Sequence, residues 1–355
     1  MIIKRVPNFL LNGMATSNYW GDGSDGSFNT IGNYNFPTTL DGNAYVANLA
    51  DLTINSGHTV SVSNRNKGLF MYCHGDANIA GILSMTGKGA YADPVSAGVS
   101  STGLRLARLK TGATETLAAS DVNGFGTPLI SSESNQSRIS SNGKIYTIPR
   151  YGGIGGAQVY GPNGNIANGL PGGVAADGCG GGGSGTAADR CYSGYGTPAT
   201  CFSGGSGGGG GVSRTTPPNA VTNAGPGGSC INPFGSSFGG GGGAGNPGGA
   251  KYNGGQVGGN GTGGVLVIIV AGNLTITGVI EAKGIKGGDA TASYYACGGG
   301  SSGGGRIIIL YAGIYSNTGA ISVAGGVSAY SYSNGKARYS GAGGAGKITI
   351  DKIDL

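Results

Sequence analysis

The sequence predicts an all-β protein: a β-solenoid of short stacked coils, interrupted by a long glycine-rich insertion. Two observations support this prediction. Three stretches of the chain repeat glycines at intervals of six and six residues, and glycine accounts for 81 of the 355 residues. Self-similarity at a fixed spacing is typical of stacked structural units. A β-sandwich is the alternative fold, but it gives no reason for matched glycine spacings.

Each copy of the repeat is an apolar run followed by three glycines. The nine structural glycines are Gly75, Gly81, Gly87, Gly272, Gly278, Gly284, Gly313, Gly319 and Gly325. We expect them at corners between strands, where the chain needs either positive φ or close backbone packing. A fourth, partial copy begins at Gly346, which follows Gly305 by the same 41 residues that separate Gly305 from Gly264.

The cleanest copy predicts three strands per coil. Residues 265–270 form a mostly β-branched run, which suits a strand buried on both faces. Two short alternating segments follow, with Leu274 and Ile280 among the residues expected to point inward. In the third copy Tyr315 and Asn317 replace apolar residues, so its middle strand either sits differently or caps an end.

The chain divides into five regions. These are an entry or attachment segment (1–50), the first β coils (51–92), a mixed connecting segment (93–150), the glycine-rich insertion (151–262) and the C-terminal β coils with glycine-rich excursions (263–355). About half of the glycines lie in residues 151–260, a composition usually assigned to linkers.

Interspersed Cys, Tyr and Phe, together with the absence of charge runs, favour an ordered insertion. We expect its glycine tracts to form packed polyglycine II helices, joined by N–H and Cα–H bonds to neighbouring carbonyls. A floppy excursion is the alternative.

Signals for catalysis are weak. Of the two histidines, His58 falls in a turn and His74 beside a coil corner. Matches to the nucleophile-elbow and dinucleotide-binding patterns neither follow a strand nor precede a helix. Four carboxylates fall in or beside coils: Asp51, Asp76, Glu281 and Asp289. We expect no pair of them at repeat-matched positions, although a glycosidase would need grouped carboxylates. A non-catalytic protein without a cofactor is therefore predicted.

No metal site is predicted either. The six cysteines include no Cys-x-x-Cys pair, which argues against structural zinc. Residues 21–26 contain two spaced carboxylates but lack the ligand ladder of a calcium loop, which favours a simple turn. Four cysteines cluster in the insertion, and they either pair as disulfides or are reduced thiols: Cys179, Cys191, Cys201 and Cys230.

Charge and hydropathy exclude other classes. A net charge of +6 without clustered Lys or Arg argues against a nucleic-acid partner. The longest apolar run is too short for a membrane-spanning helix. The composition is typical of an extracellular protein, yet the first eleven residues lack the apolar region of a secretory signal, so we expect a particle assembled in the cytoplasm and released by lysis.

Aromatic residues inside the glycine-rich regions are the candidate binding residues. They are Tyr192, Tyr195, Phe202, Phe234, Phe238, Tyr294, Tyr295, Tyr330 and Tyr332. Tyrosine among Gly, Ser and Asn is the composition of adaptable binding loops. The alternative is that these rings pack locally over glycine rods.

Several motifs resemble glycine-rich virion proteins of tailed bacteriophages. They are YWGDGSDG at 19–26, LTINSGHTV at 52–60, GLFMY at 68–72 and ILSMTG at 82–87. The polyglycine tracts are also similar to those of adhesins at the long tail-fibre tips of T-even-like phages, in which packed rods present variable receptor-binding loops.

This resemblance implies a tail-fibre or spike adhesin that is exposed on the released particle and binds a host outer-membrane protein or surface polysaccharide. It also implies an oligomer in contact with other virion proteins. The alternative is a purely structural virion component, such as a capsid decoration, vertex or tail element, which uses its glycine-rich regions for subunit contacts.

Overall fold

The fold is built from β-strands. The computed structural model describes residues 20–21, 23–42, 44–90, 103–105, 129–131, 147–148, 152–162, 165–176, 178–188, 192–199, 202–214, 220–222, 261–289, 297–333 and 336–352. Within these ranges the regular elements are 24 strands, which confirms the predicted all-β class. In the same ranges no helix has the length and apolar character needed to cross a membrane.

Three parallel sheets of five strands form the centre of the molecule. Sheet I contains, in spatial order, β1 (Phe28–Asn29), β4 (Leu52–Ile54), β7 (Ala77–Ile79), β17 (Leu274–Ile276) and β20 (Tyr315–Asn317). Sheet II contains β2 (Tyr34–Phe36), β5 (Thr59–Val62), β8 (Ile82–Ser84), β18 (Val279–Glu281) and β21 (Ala320–Ser322). Sheet III contains β3 (Tyr45–Leu49), β6 (Leu69–Cys73), β16 (Val265–Val270), β19 (Arg306–Tyr311) and β24 (Lys347–Lys352). The chain visits the three sheets in turn, so each passage adds one strand to every sheet, and we call one such passage a coil.

Strand pairing follows the spacing of the sequence repeat. Leu266 of β16 pairs with Leu69 of β6 and with Ile307 of β19, and Ile307 pairs with Ile348 of β24. The 41-residue spacing therefore separates neighbouring strands of sheet III. In the third copy, β20 pairs in register with β17 and is the last strand of sheet I, so it lies at an end.

Sheet III is covered on both faces. Its inner face contributes Leu69, Met71, Leu266 and Ile268 to a core shared with sheets I and II. An outer cluster on the opposite face includes Trp20, Phe70, Cys179, Ala199, Val267 and Ile308. Because Cys179 and Ala199 belong to the glycine-rich insertion, the insertion covers this face. Every residue of β16 is consequently buried.

The corner glycines stack in columns. A methyl group added to Gly278 would overlap the carbonyl oxygen of Gly81, and one added to Gly319 would overlap that of Gly278. A comparably close approach occurs at Gly75, Gly81, Gly272, Gly284, Gly313 and Gly325. Among the nine predicted corner glycines, Gly87 has a positive φ, of 67°. Close backbone approach, more than left-handed geometry, thus requires glycine at these corners.

Glycine-rich segments form a bundle of rods beside the coils. The rods are residues 152–156, 168–175, 178–187, 193–199, 203–211, 284–288, 297–305 and 340–346. Neighbouring rods exchange backbone hydrogen bonds at every third residue. For example, the N–H groups of Gly205 and Gly208 donate to the carbonyls of Gly180 (2.8 Å) and Gly183 (2.9 Å). The tract at 239–243 lies outside the described residues.

Smaller sheets complete the described structure. An antiparallel three-stranded sheet contains β9 (Gly103–Arg105), β10 (Leu129–Ser131) and β11 (Thr147–Ile148). A four-stranded sheet contains β12 (Ile166–Ala167), β13 (Ala187–Ala188), β14 (Gly211–Arg214) and β15 (Ala220–Thr222). A hairpin contains β22 (Tyr330–Ser333) and β23 (Lys336–Tyr339).

Candidate functional site

The rods connect the coils to a second, distant surface. Near the coils, the N–H of Gly180 donates to the carbonyl of Gly304 (2.8 Å), and Gly305 directly precedes β19. Six residues further along the same rod, the N–H of Thr186 donates to the carbonyl of Gly298 (3.1 Å). The rod 297–305 therefore runs from the start of β19 in sheet III to a surface that contains Gly298 and Thr186. We call this far surface the distal end.

Side-chain hydrogen bonds hold the distal end together. The guanidinium Nε of Arg338, in the hairpin, donates to the carbonyl of Ile166 (3.0 Å). The N–H of Tyr339 donates to Oδ1 of Asn168 (3.1 Å). On the other side of the hairpin, the hydroxyl of Ser331 accepts from the N–H of Gly298 (2.6 Å). The hairpin is therefore fixed to β12 and to the end of a rod.

Two tyrosine pairs dominate this surface. The rings of Tyr160 and Tyr192 lie 4.9 Å apart between centroids, and those of Tyr330 and Tyr339 lie 5.8 Å apart in an edge-on arrangement. Tyr160, Tyr192, Tyr195 and Tyr339 have exposed fractions of 47%, 43%, 43% and 53%. We refer to Tyr160, Tyr192, Tyr195, Tyr330 and Tyr339 as the distal tyrosines. Rods and hairpin hold the backbones of these residues; four of the side chains are exposed, and that of Tyr330 is partly buried.

Charged groups at the distal end are largely satisfied within the protein. The Asp289 carboxylate accepts a hydrogen bond from the N–H of Tyr330 (2.7 Å) and forms an ion pair with Lys286 (2.7 Å). Arg338 contributes a partly exposed guanidinium beside Tyr339. Among the described side chains, this surface therefore combines tyrosine rings with charged groups that are bound to neighbouring protein atoms.

The structure separates the predicted binding residues into groups. Tyr192, Tyr195 and Tyr330 lie at the distal end. Phe202 does not: it packs against the outer cluster of sheet III, with Nζ of Lys67 5.6 Å from its ring centroid. The local-packing alternative therefore describes Phe202. Outside the described residues lie Phe234, Phe238, Tyr294 and Tyr295, and the Tyr332 side chain is likewise outside them.

Two distal tyrosines were absent from the predicted set. Tyr160 and Tyr339 each stand beside glycine-rich sequence, as the predicted residues do, so the same compositional signal would have found them. What the sequence does not carry is their pairing with Tyr192 and Tyr330.

The expectation of no carboxylates at repeat-matched positions is wrong. Asp51 and Asp76 precede β4 and β7, which pair in register at Leu52 and Ala77. Oδ1 of Asp51 accepts from the N–H of Asp76 (3.1 Å), and Oδ1 of Asp76 accepts from the N–H of Asn273 (2.7 Å). Asp51, Asp76 and Asn273 form a ladder in which each side chain binds the backbone of the next coil. This ladder gives the two carboxylates a structural role.

Metal-binding geometry is not found in the described part of the chain. No group of three or more His, Cys, Asp and Glu residues there could hold a metal ion. In the segment 21–26, Asp25 instead accepts a hydrogen bond from the N–H of Asn48 (2.8 Å). Gly21, Gly23 and Gly26 in the same segment have φ values of 75°, 69° and 74°, as in a tight turn.

His58, Cys73 and Cys179 also have structural surroundings, whereas His74 is exposed. Nδ1 of His58 lies 2.9 Å from Oγ1 of Thr30, within a corner of the coils. Burial raises the pKa of the Cys73 thiol to about 12, so it is not a reactive thiolate. Cys179 is fully buried in the outer cluster. Since Cys191, Cys201 and Cys230 lie outside the described residues, disulfide pairing stays a prediction.

No protein-family model, curated protein or solved structure matches the chain. The resemblance to phage virion proteins therefore rests on sequence motifs alone. The functional argument below depends on the geometry of the coils, the rods and the distal end.

Proposed function

We propose that the protein is a non-catalytic receptor-binding protein of a bacteriophage virion. In this proposal the three parallel sheets form a three-sided β-solenoid, and the rods are polyglycine II helices that carry a recognition surface away from it. The identical strand order of sheets I, II and III supports the solenoid assignment. The hydrogen bonds at every third residue support the polyglycine II assignment.

The observation that carries the proposal is the set of distal tyrosines on a hydrogen-bonded base. Glycine loses more backbone entropy on folding than other residues, so a bundle of glycine rods is costly to order. Once ordered by its neighbours, the bundle fixes the distal surface before a ligand arrives. Such preorganisation favours binding, because less freedom is lost on association.

Tyrosine supplies the chemistry that an adaptable interface needs. Each ring offers an apolar face and a hydroxyl at little conformational cost. A receptor exposed on the host cell, either an outer-membrane protein or a surface polysaccharide, is the partner that this proposal assigns. The protein would be assembled in the host cytoplasm and exposed on the released particle, in contact with other virion proteins.

A purely structural virion role is the second candidate, and one observation favours it. Ile154 and Val174 are 75% and 72% exposed on adjacent rods, which are joined by a bond from the N–H of Gly173 to the carbonyl of Ile154 (2.7 Å). Exposed apolar side chains on a rigid flank suit a subunit contact.

A crossed mutagenesis experiment tests the two candidates. One particle variant carries Tyr192→Ala and Tyr339→Ala, which shorten side chains at the distal end. The other carries Ile154→Ser and Val174→Ser, which change only the flank. Adsorption of purified particles to host cells and incorporation of the chain into particles are measured for both.

A receptor-binding surface predicts that the tyrosine variant incorporates normally and adsorbs at least tenfold more slowly, since truncated hot spots lose ~2 kcal/mol or more each. The flank variant should then behave as wild type. Poor incorporation of the flank variant with normal adsorption by the tyrosine variant would favour the structural role. Normal adsorption and incorporation of both variants would contradict both candidates.

A further inference from the structure

The two ends of the stacked sheets are complementary. Each of the three sheets has five strands, so the coils form a whole number of turns. The edges of β1, β2 and β3 form the first end, and those of β20, β21 and β24 form the last end. The first strand of the stack belongs to sheet I and the last to sheet III. A second copy placed after the first would therefore continue all three sheets in the order in which the chain already visits them.

Apolar side chains at both ends are left half-covered. Phe28 and Tyr45 at the first end are partly buried against the inner core, as are Tyr315, Ile321 and Ile348 at the last end. Residues of the same columns in interior coils, such as Leu274 and Ile280, are fully buried. The core thus runs to both ends of the stack and stops there incompletely covered.

We propose that the last end of one copy binds the first end of a second copy, so that the chains stack head to tail. Continuing the observed columns gives the register. Tyr315 of one copy would lie on Phe28 of the second, because Phe28, Leu52, Ala77, Leu274 and Tyr315 form one column of sheet I.

The other two sheets give matching contacts. Tyr34, Val60, Leu83, Ile280 and Ile321 form a column of sheet II, so Ile321 would lie on Tyr34 of the second copy. Tyr45, Leu69, Leu266, Ile307 and Ile348 form a column of sheet III, so Ile348 would lie on Tyr45 of the second copy. Each contact joins an aromatic ring to an apolar side chain at its neighbouring layer, as a core requires.

A second copy fits these edges for reasons of backbone geometry. The end strands carry rows of N–H and C=O groups that template an added strand. The first end supplies three strands with the direction and the separation around the core that the last end needs, since both belong to the same continuous stack. An unrelated partner would have to reproduce this arrangement on all three sides.

One local feature limits the contact in sheet III. The N–H of Asp25 already donates to the carbonyl of Asn48 (2.8 Å), which occupies the later part of the β3 edge. β24 of the neighbouring copy would therefore pair with β3 over Tyr45 to Ala47, and Asp351 and Lys352 would turn aside. In that position Lys352 approaches the Asp25 carboxylate of the second copy, which has the opposite charge.

Head-to-tail contacts are heterologous and do not close on themselves, so they generate open chains of variable length. The test measures solution mass against concentration by sedimentation for three variants of the full chain. Tyr34→Lys places a charge at the first end and Ile321→Lys places one at the last end. Ile82→Lys is the control, because Ile82 is an exposed apolar residue on β8, the middle strand of sheet II, and so lies away from both ends.

The wild type and the Ile82→Lys variant should show a mass that rises with concentration. Tyr34→Lys and Ile321→Lys should each be monomeric alone, with a wild-type circular dichroism spectrum. An equimolar mixture of these two should form a complex of two chains and nothing larger, because each variant keeps one intact end. A wild type that stays monomeric up to millimolar concentration, or association unaffected by both end variants, would overturn the proposal.

Cross-linking gives a readout that does not depend on affinity. Asn35 pairs with Ser61 in sheet II, and Ser322 pairs with Glu281, so Asn35 and Ser322 occupy one column. Mixing the Asn35→Cys variant with the Ser322→Cys variant under oxidising conditions should produce a disulfide-linked pair, since adjacent strands place Cα atoms within disulfide range. Equal yields from mixed and from single variants would contradict the stacking.

Discussion

The coils and the rods bury their polypeptide backbone in different ways. In the coils, side chains such as Leu266 and Ile268 fill the space between three sheets, and backbone hydrogen bonds run along each sheet. In the rods, glycine backbone packs directly on backbone at many contacts, and some neighbouring rods are also joined through a small hydroxyl side chain such as that of Ser302. A methyl group added at Gly303 would overlap the carbonyl oxygen of Gly180, and one at Gly208 would overlap that of Gly194.

This difference has a consequence for sequence tolerance. A core of aliphatic side chains accepts volume-conserving exchanges at a cost usually below ~1.5 kcal/mol. A rod glycine whose missing side chain would face a neighbouring carbonyl accepts no side chain without displacement, because that carbonyl is itself hydrogen-bonded. The outer cluster, where Val267 and Ile308 of sheet III meet Cys179 and Ala199 of the insertion, joins the two kinds of packing.

The largest expected effect is therefore at a rod glycine. Gly303→Ala should lower the free energy of unfolding by about 3 kcal/mol, since its new methyl group forces two hydrogen-bonded rods apart. Gly32→Ala is the matched control, because nothing lies within 4 Å of a methyl group at that position. Urea denaturation of both variants provides the measurement. Equal stability of the two would remove the contrast between rods and coils.

A smaller loss of stability is expected when a glycine at a coil corner is replaced. Gly278→Ala also drives a methyl group into a carbonyl, that of Gly81, but the corner lies between short strands and can shift. We expect a loss of about 2 kcal/mol, which exceeds that of an average substitution. Thermal unfolding should give a melting temperature between those of Gly303→Ala and wild type. An unchanged melting temperature would mean that the glycine columns do not set the corner geometry.

The glycine columns also explain how much of the fold the sequence predicts. Because Gly278 must lie on Gly81 and Gly319 on Gly278, the chain keeps equal glycine offsets in successive coils, and these offsets predict strand register. The earlier coil lacks the triplet, with Ser56-Gly57 at its turn instead. The glycine triplet therefore does not predict that Asp51 and Asp76 occupy matching positions in neighbouring coils.

The candidate site is less predictable for a physical reason. Rods fold back on one another, so residues far apart in sequence, such as Ile166 and Arg338, come into contact at the distal end. Glycine tracts carry no side-chain pattern that marks which rod faces which. Composition can therefore suggest that Tyr192 and Tyr330 belong to a binding surface, but it cannot predict their partners Tyr160 and Tyr339.

The side-chain ladder at the coil corners gives a third prediction, of smaller size. Asp76→Ala removes the acceptor for the N–H of Asn273 and should cost about 1 kcal/mol. Asp76→Asn keeps an acceptor oxygen at the same place and should recover most of that stability. The comparison is made by urea denaturation at neutral pH. If the asparagine variant were as unstable as the alanine variant, charge would matter more than the hydrogen bond.

The smallest expected effect is a loss of stability in acid. It should arise at Glu281 in the coils and be absent from the rods 203–211 and 297–305, which contain no Asp or Glu. Burial alone would raise the pKa of Glu281, but hydrogen bonds from Lys283 and Ser84 outweigh burial and hold it below its ordinary value of 4.5. The unfolded chain therefore binds a proton at Glu281 more readily than the folded protein does. Its contribution to stability is present above pH 4.5 and is lost as the pH falls through the lower, folded pKa.

Glu281→Gln removes this proton-linked contribution. Between pH 6 and pH 3 the urea midpoint of the wild type should fall more than that of the variant, and the curves should diverge only below about pH 4.5. Hydrogen exchange at the rods 203–211 and 297–305, which contain no Asp or Glu, should show the same protection in both proteins at each pH. Parallel pH curves for the two proteins would exclude a role for the Glu281–Lys283 contact. A difference in rod protection would show that the acid sensitivity of the coils extends into the bundle.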